Sequence, residues 1–257
     1  MSFTGKLGQY KIIKTEDNTT TLWSEFFDEN CHNVSGAYNE TLHNYIDGCK
    51  IKQQLLSAND VHVLDVGFGL GIGLKALIDI TKELAEHIGE KDITYTSIEL
   101  DEELLKWSLK ETFNLEDYIL SEQKVSYTVE ISKNIQIKVS ILIGDGRLTL
   151  PLAYQKQKLP LFTAIFQDAF SPKKNPALWS WQWFSDLYKM SSSNVLLSTY
   201  SSSISIRKSL QKSKWIITSS KGFGQKRTMT LASKYGQIDP NLEAELIKSK
   251  IVEISDD

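Results

Sequence analysis

Apolar and polar positions recur along this chain with two periods, and each predicts one kind of element. Between Val61 and Val66 the apolar residues Val61, Val63, Leu64 and Val66 are broken only by His62 and Asp65. So short an apolar run, ending in glycines, reads as a buried parallel strand entering a tight turn. Glycines follow at 67, 69, 71 and 73, and then Leu74, Leu77, Ile78, Ala85 and Ile88 recur on one helical face. Strand, glycine turn and helix open a doubly wound α/β sheet, whose ligand lies at the carboxyl end of the strand. Further strands are predicted over 93–100, 161–166, 195–200, 215–218 and 228–232. Two alternating stretches within 124–143 add at least one more, the second. Helical periods cover 36–57, with a break at Gly48, then 102–110, 179–190 and 207–214. Residues 10–24 alternate around Asp17-Asn18, which predicts a β-hairpin. The pattern divides the chain into a hairpin and helical cap over the ligand crevice (1–57), the α/β domain (58–238) and a charged, peripheral tail (239–257). No internal repeat is present.

Composition narrows the class. At 257 residues, with 41% hydrophobic and 24% charged residues, the chain suits one soluble α/β domain with an elaboration. The N-terminus MSFTGKLGQYKIIK has no apolar core of the signal-peptide kind, and no stretch approaches a membrane span. The only cysteines, Cys31 and Cys49, make no C-x-x-C pair, so neither a disulfide framework nor a cysteine-rich zinc site is expected. A cytoplasmic protein with two reduced thiols and no metal is the expectation.

The glycine turn narrows the ligand. A dinucleotide fingerprint starting at Gly67 needs a glycine at Ile72, and one starting at Gly69 needs it at Leu74, so it fails in both registers. An acid just before the glycines, Asp65, suits a cationic ligand and would repel a pyrophosphate. The pattern D-x-G-x-G-x-G over Asp65, Gly67, Gly69 and Gly71 resembles the first motif of class I (Rossmann-like) methyltransferases, which bind S-adenosylmethionine. In that class an acid ending the second strand accepts both ribose hydroxyls, and Glu99 holds this place; one carboxylate has two acceptor oxygens for two donors. Glu99 also reads as a helix N-terminal acid, a role that Asp101 fits better. Asp145, between Gly144 and Gly146, would accept from the adenine amino group; D-G is equally a common turn. Asp168 lies at the mouth of the 161–166 strand, the catalytic address of a doubly wound sheet. The terminal 215–232 hairpin fits the antiparallel edge of this class.

Net charge is −3, which argues against a generic nucleic-acid binder, but the charge is unevenly spread. From Ser171 to Arg227 ten basic residues face a single acid, Asp186, a local charge of +9 that leaves −12 on the other 200 residues. This is the electrostatic footprint of a polyanion site, or else an ordinary solvated surface. Lys173, Lys174, Arg207, Lys208, Lys221, Lys226 and Arg227 are the candidate nucleic-acid contacts. The aromatic helix 179–190 reads as core before it reads as a stacking platform.

Three strings carry a closer resemblance: QDAFSPKKNPALW (167–179), IRKSLQKSKW (206–215) and KGFGQKRTM (221–229). With TEDNTTTLWSEFFDENCHNVSGAYNETLHNYI (15–46), they resemble the methyltransferase domain of the tRNA-modifying enzyme MnmC, in a stand-alone form without its flavin domain. The resemblance covers residues 13–233. It implies S-adenosylmethionine-dependent methylation of the amine of 5-aminomethyl-(2-thio)uridine at the tRNA wobble position. It places ligand positions on Gly67, Gly69, Glu99, Asp145 and Asp168. Two departures bear on cofactor affinity: G-F-G-L-G-I-G stands where G-F-G-T-G-L-N is common, and Cys31 where tyrosine is frequent. Asp168 is the candidate catalytic residue, either accepting the proton of the amine or gripping the amino group of the cofactor's methionine part. Two alternatives stand beside this reading. One is a small-amine enzyme resembling spermidine synthase, whose acceptor pocket should be acidic; the other is an inert tRNA-binding module.

Overall fold

The computed structural model describes residues 1–121, 123–157, 159–224 and 226–256, with only the backbone of residue 157. Gln225, within the basic turn at 221–227, lies outside the described residues. The chain opens with a four-stranded antiparallel sheet: β1 (Ser2–Gly5), β2 (Gly8–Lys14), β3 (Thr20–Ser24) and β4 (Glu29–Asn30). β2 and β3 are the predicted hairpin, with Asn18 left-handed at its turn. The expected helical segment follows in pieces: α1 (Ala37–Thr41), a π-helical turn (Leu42–Asp47) and α2 (Ile51–Leu56). The break falls two residues past the expected Gly48, which is right-handed, at Lys50, which is left-handed (φ 52°).

The main sheet has nine strands. In chain order they alternate with helices: β5 (Val61–Val66), α3 (Ile72–Glu83), β6 (Ile93–Glu99), α4 (Glu102–Phe113), β7 (Ile119–Ser121), β8 (Lys124–Ser132), β9 (Ile135–Ile143), α5 (Gly146–Gln157) and β10 (Phe162–Gln167). Then come α6 (Trp181–Lys189), β11 (Ser191–Thr199), α7 (Ile204–Lys212), β12 (Ile216–Lys221), β13 (Thr228–Ser233) and α8 (Pro240–Lys248). The spatial order is β12-β13-β11-β10-β5-β6-β9-β8-β7. β11, β10, β5, β6 and β9 are parallel, whereas β13 runs antiparallel beside β11 and β12 antiparallel to β13. Both stretches of 124–143 are strands, and β8 lies antiparallel on β9. The chain leaves β5 for β6 on one side and reaches β10 on the other, so a crevice opens at their carboxyl ends.

Every residue of β10, and all of β5 except His62, is buried, as expected of strands covered on both faces. One face carries α2, α3 and α4, packed through Leu55, Leu77 and Leu105; the other carries α5 to α8 through Leu150, Phe184, Leu210 and Leu246. Trp179, Trp183 and Phe184 are in that second core, so the aromatic helix is mainly packing. The N-terminal sheet sits over the end of the main one, with Tyr10 and Leu22 packed on Leu70, Ile72 and Leu104.

The tail corrects its expectation. Its charged residues Glu243, Glu245 and Lys248 are exposed on α8, which is capped by Asp239 and buries Leu242 and Leu246. Ile254 then accepts from the Trp181 N–H and donates to Ser209 Oγ, so the tail is anchored on the second face at α8 and at Ile254 rather than peripheral. Among the described residues no helix is long and apolar enough to cross a membrane.

Candidate active site

Four strand ends meet at the crevice, and each supplies one group. After β5 the backbone turns through Gly67 (φ 108°), Gly69 (φ 52°) and Gly71 (φ 75°), values that side chains resist. A Cβ on Gly69 would meet nothing within 4 Å, so the backbone there lies open to a ligand. A Cβ on Gly67 would stand 3.2 Å from the carbonyl of Asp168, so this glycine lets the β5 and β10 ends approach each other.

Glu99, at the end of β6, is 8% exposed. Its Oε2 accepts the Gly69 N–H (2.9 Å) and its Oε1 accepts the Asp101 N–H (2.9 Å). Burial pushes its carboxyl up to about 7, against the lowering effect of those two bonds. Each oxygen keeps a lone pair for a further donor. After β9, Asp145 is gripped by Arg147 (2.8 Å and 3.2 Å), which holds its carboxyl below the ordinary range. Gly146 packs closely on Ile98, whose Cδ1 would have to move to admit a Cβ there.

Asp168, after β10, accepts the Tyr45 hydroxyl at 2.5 Å. Burial raises its carboxyl well above the usual range, and Asp65 and Glu40 add to this, while the Tyr45 bond and Lys226 oppose it. Tyr45 comes from the π-helical turn, a local over-insertion common at functional sites.

These groups line two adjoining cavities. The first, about 280 Å³, is walled by Gly67, Gly69, Glu99, Asp145, Asp168 and Lys174, with Phe27 and Phe170 stacked at 4.1 Å on its rim. The second, about 260 Å³, is walled by Glu29, Asn30, Glu40, Asp168, Tyr200 and Lys226. Cys31, His32, Asp168, Ala169 and Phe170 belong to both. Burial lowers the His32 imidazole to about 4, so it is neutral at physiological pH.

Several candidates lie elsewhere. Asp65 is 3% exposed and lies outside both cavity walls; its Oδ2 accepts the Tyr95 hydroxyl beneath the turn and would stand 2.8 Å from a Cβ on Gly73. Burial raises its carboxyl to about 8, so the acid that reads as a ligand group is a buried support of the turn. Gly71 is packed against Phe68 and Phe113 and also lies outside the walls. Arg207 is 5% exposed and donates to Thr230 Oγ1 (3.1 Å) and Ser219 Oγ (3.2 Å), so it braces β12 and β13 instead of facing solvent. Lys208 donates to the Ser249 carbonyl (2.8 Å), on the side of the C-terminal segment. Lys174 pairs with Asp28 (3.0 Å) and Lys226 with Glu40 (3.3 Å). Lys173, Lys221 and Arg227 are exposed.

Sequence reasoning passed over Glu29, Glu40, Tyr45, Tyr200 and Arg147. The first three belong to the N-terminal segment, whose pattern announces helices and strands but not what they face. Among the described residues no cluster of three His, Cys, Asp or Glu side chains is placed to hold a metal. The first cavity fits S-adenosylmethionine: an open backbone over Gly69, two acceptor oxygens on Glu99, and carboxylates instead of a phosphate cradle.

Residues 109–235 match a family model described as S-adenosyl-L-methionine-dependent methyltransferase. An uncharacterized protein of Methanocaldococcus jannaschii is 27% identical over 240 residues, 91% of this chain and 62% of that protein. The tRNA 5-methylaminomethyl-2-thiouridine biosynthesis bifunctional protein MnmC of Campylobacter hominis is 28% identical over 221 residues, 82% of this chain and 31% of that protein. The chain thus spans less than two thirds of the length of these curated relatives. The crystal structure of MNMC2 from Aquifex aeolicus superposes with a TM-score of 0.76 at 25% identity, covering 96% of this chain and 79% of that one. Spermidine synthase from Thermotoga maritima shares the fold (TM-score 0.53, 13% identity, 98% and 79% covered). With its sheet order and open glycine turn, the chain has the α/β fold of class I S-adenosylmethionine-dependent methyltransferases, is similar to that family over residues 109–235, and is structurally close to the MnmC-type domain at low sequence identity.

Proposed function

We propose that this domain methylates the primary amine of 5-aminomethyl-(2-thio)uridine at the wobble position of tRNA. The observation that carries the reading is the place of Asp168, in the wall shared by the two cavities. When bound in the first cavity, S-adenosylmethionine supplies an electrophilic methyl on a sulfonium. Glu99 would hold the ribose hydroxyls and Asp145 the adenine amino group. The second cavity is the acceptor site. Its carboxylates Glu29, Glu40 and Asp168 suit an ammonium, and the neutral His32 at the junction does not repel one.

An amine attacks only when neutral, so its ammonium must first shed a proton. Asp168 Oδ1 or Oδ2 is the acceptor of that proton, because its raised pKa makes it a better base than an ordinary carboxylate. The Tyr45 hydroxyl fixes the rotamer of Asp168, and orientation supplies much of the acceleration. The names of the relatives support the nucleotide acceptor, and so does the basic edge around Lys173, Lys221 and Arg227. The acidity of the second cavity equally favours a free polyamine, the acceptor of a spermidine-synthase-like aminopropyltransferase. Nucleoside mass spectrometry of tRNA from a deletion strain tests the proposal. Accumulation of the unmethylated aminomethyl nucleoside is the expected result. Unchanged nucleosides, together with turnover of putrescine and decarboxylated S-adenosylmethionine by the purified chain, would put the second reading in its place.

A further inference from the structure

The second cavity already contains a primary alkylammonium, that of Lys226. Its Nζ lies 3.3 Å from Glu40 Oε1 and 4.4 Å from the centroid of the Tyr200 ring. Both partners are built in place. Glu40 has a side chain 10% exposed, and its Oε2 accepts the Asn33 N–H at 2.9 Å. Tyr200 is held edge-on to Trp179 and donates its hydroxyl to the Ala169 carbonyl at 2.9 Å. A carboxylate beside an aromatic face is the chemistry that recognises an alkylammonium, by charge-assisted hydrogen bond and cation–π attraction together. The remaining wall offers acceptors: Glu29, Asp168, and Asn30, whose Oδ1 is buried with no hydrogen-bond partner. Lys226 itself is 41% exposed and belongs to a surface turn, so it can leave.

We propose that Glu40 and the Tyr200 face form the ammonium subsite for the acceptor, and that Lys226 is its placeholder, displaced when the substrate's own aminomethyl group arrives. The proposal rests on the amine-acceptor reading above and assigns that reading its binding residues. It has a thermodynamic consequence. A ligand that must displace Lys226 binds with its intrinsic affinity reduced by the fraction of protein whose subsite is free.

Titration calorimetry on the full chain decides it, with three probes: 5-aminomethyluridine, its uncharged 5-hydroxymethyl analogue, and putrescine. Lys226→Met keeps the length of the side chain and removes its charge. With Lys226 itself 41% exposed, an ion pair at the strong end of the surface range leaves the subsite free about a fifth of the time, so Lys226→Met should bind 5-aminomethyluridine about fivefold tighter than wild type. Adding Glu40→Gln should abolish that gain, and 5-hydroxymethyluridine should bind all variants alike. If putrescine shows this pattern and 5-aminomethyluridine binds nowhere, the subsite stands and the uridine reading falls. The proposal is overturned if Lys226→Met tightens neither amine, or tightens the hydroxymethyl analogue equally. Because Lys226 is on the surface, the single variant decides even if Glu40→Gln unfolds the chain.

Discussion

Glu99 is the residue through which pH should act on the cofactor. Its carboxyl is raised to about 7 in the free protein, so the proton is retained there near neutrality. A raised acid stabilises the fold fully below its unfolded value near 4.5, and this contribution is lost as pH rises through about 7. Ribose hydroxyls donate to the ionised form, so binding opposes protonation. Affinity for S-adenosylmethionine is therefore expected to rise between about pH 6 and pH 8, by up to tenfold per unit below the pKa, and then to level off. Calorimetry across that range checks it; Glu99→Gln should be weaker by about 1.5–3 kcal/mol and nearly flat. A flat wild-type profile would place the ribose elsewhere. Tyr45→Phe tests the neighbouring acid. It removes a bond that lowers the Asp168 carboxyl, so the acidic limb of the single-turnover pH–rate profile should move to higher pH. Asp168→Asn should lose that limb along with most of the rate, and tRNA binding should change less. Of these residues, Glu99, Asp145 and Asp168 are legible in the sequence because strand ends mark them. Tyr45 is 123 positions from Asp168, and no local pattern connects the two. Asp65 misleads for the opposite reason: its position in the motif is plain, but its side-chain direction is set by Tyr95, which only the paired register of β5 and β6 brings near.

At the scale of elements, one carboxylate gathers several of the hydrogen bonds that tie the N-terminal sheet to the α/β domain. Asp101 caps α4 by accepting from Glu103 N and Leu104 N (3.0 Å and 3.1 Å). It also accepts from Lys6 N, Leu7 N and the Tyr10 hydroxyl (2.9 Å, 2.9 Å and 3.0 Å). Burial would push this carboxyl up, but the donors from Leu7, Lys6, Leu104 and Tyr10 outweigh it and hold it below the ordinary range. A depressed acid contributes stability above its unfolded pKa and loses it as pH falls through the folded value, so the attachment should weaken in acid. Asp101→Ala should cost about 2–4 kcal/mol in thermal unfolding, a cap plus its long-range bonds. Hydrogen exchange should speed up first at Lys6 and Leu7. Protection unchanged at those two amides would mean that the Tyr10 and Leu22 packing alone fastens the sheet. The capping role of Asp101 is legible from its place before 102–110. Its hold on β1 and β2 is not, since a backbone N–H leaves no trace in sequence. The tail from Asp239 is illegible for a related reason: its anchors are two apolar residues one helical turn apart and the backbone of Ile254.

At the scale of the molecule, the basic segment is a property of one edge. β12 runs parallel to β11, so its end at Lys221 and the start of β13 lie on the carboxyl edge with the cavities. Lys173, Lys174, Lys221, Lys226 and Arg227 therefore gather around the crevice, although 54 positions separate the first from the last. Arg207 and Lys208 carry the same charge in the sequence count but not at this edge, because one is buried and the other is tied to Ser249. Phosphate contacts release counterions, so log affinity for tRNA should fall linearly with log salt. Charge reversal at Lys221 with Arg227 should raise the apparent KM for tRNA and flatten the slope by about one for each phosphate no longer neutralised. Cofactor affinity should hold, since the first cavity is lined by neither residue. Lys208→Glu should leave the slope as it is, and Arg207→Gln should lower thermal stability by weakening its bonds to Thr230 and Ser219, the first of them buried, without flattening it. Filter binding of an unmodified anticodon stem-loop over a salt series separates these variants. A slope that flattens in Lys208→Glu as much as in the Lys221 and Arg227 pair would mean that the protein's overall field attracts the RNA. A slope insensitive to all of them would make the edge ordinary solvated surface and favour the free-amine acceptor.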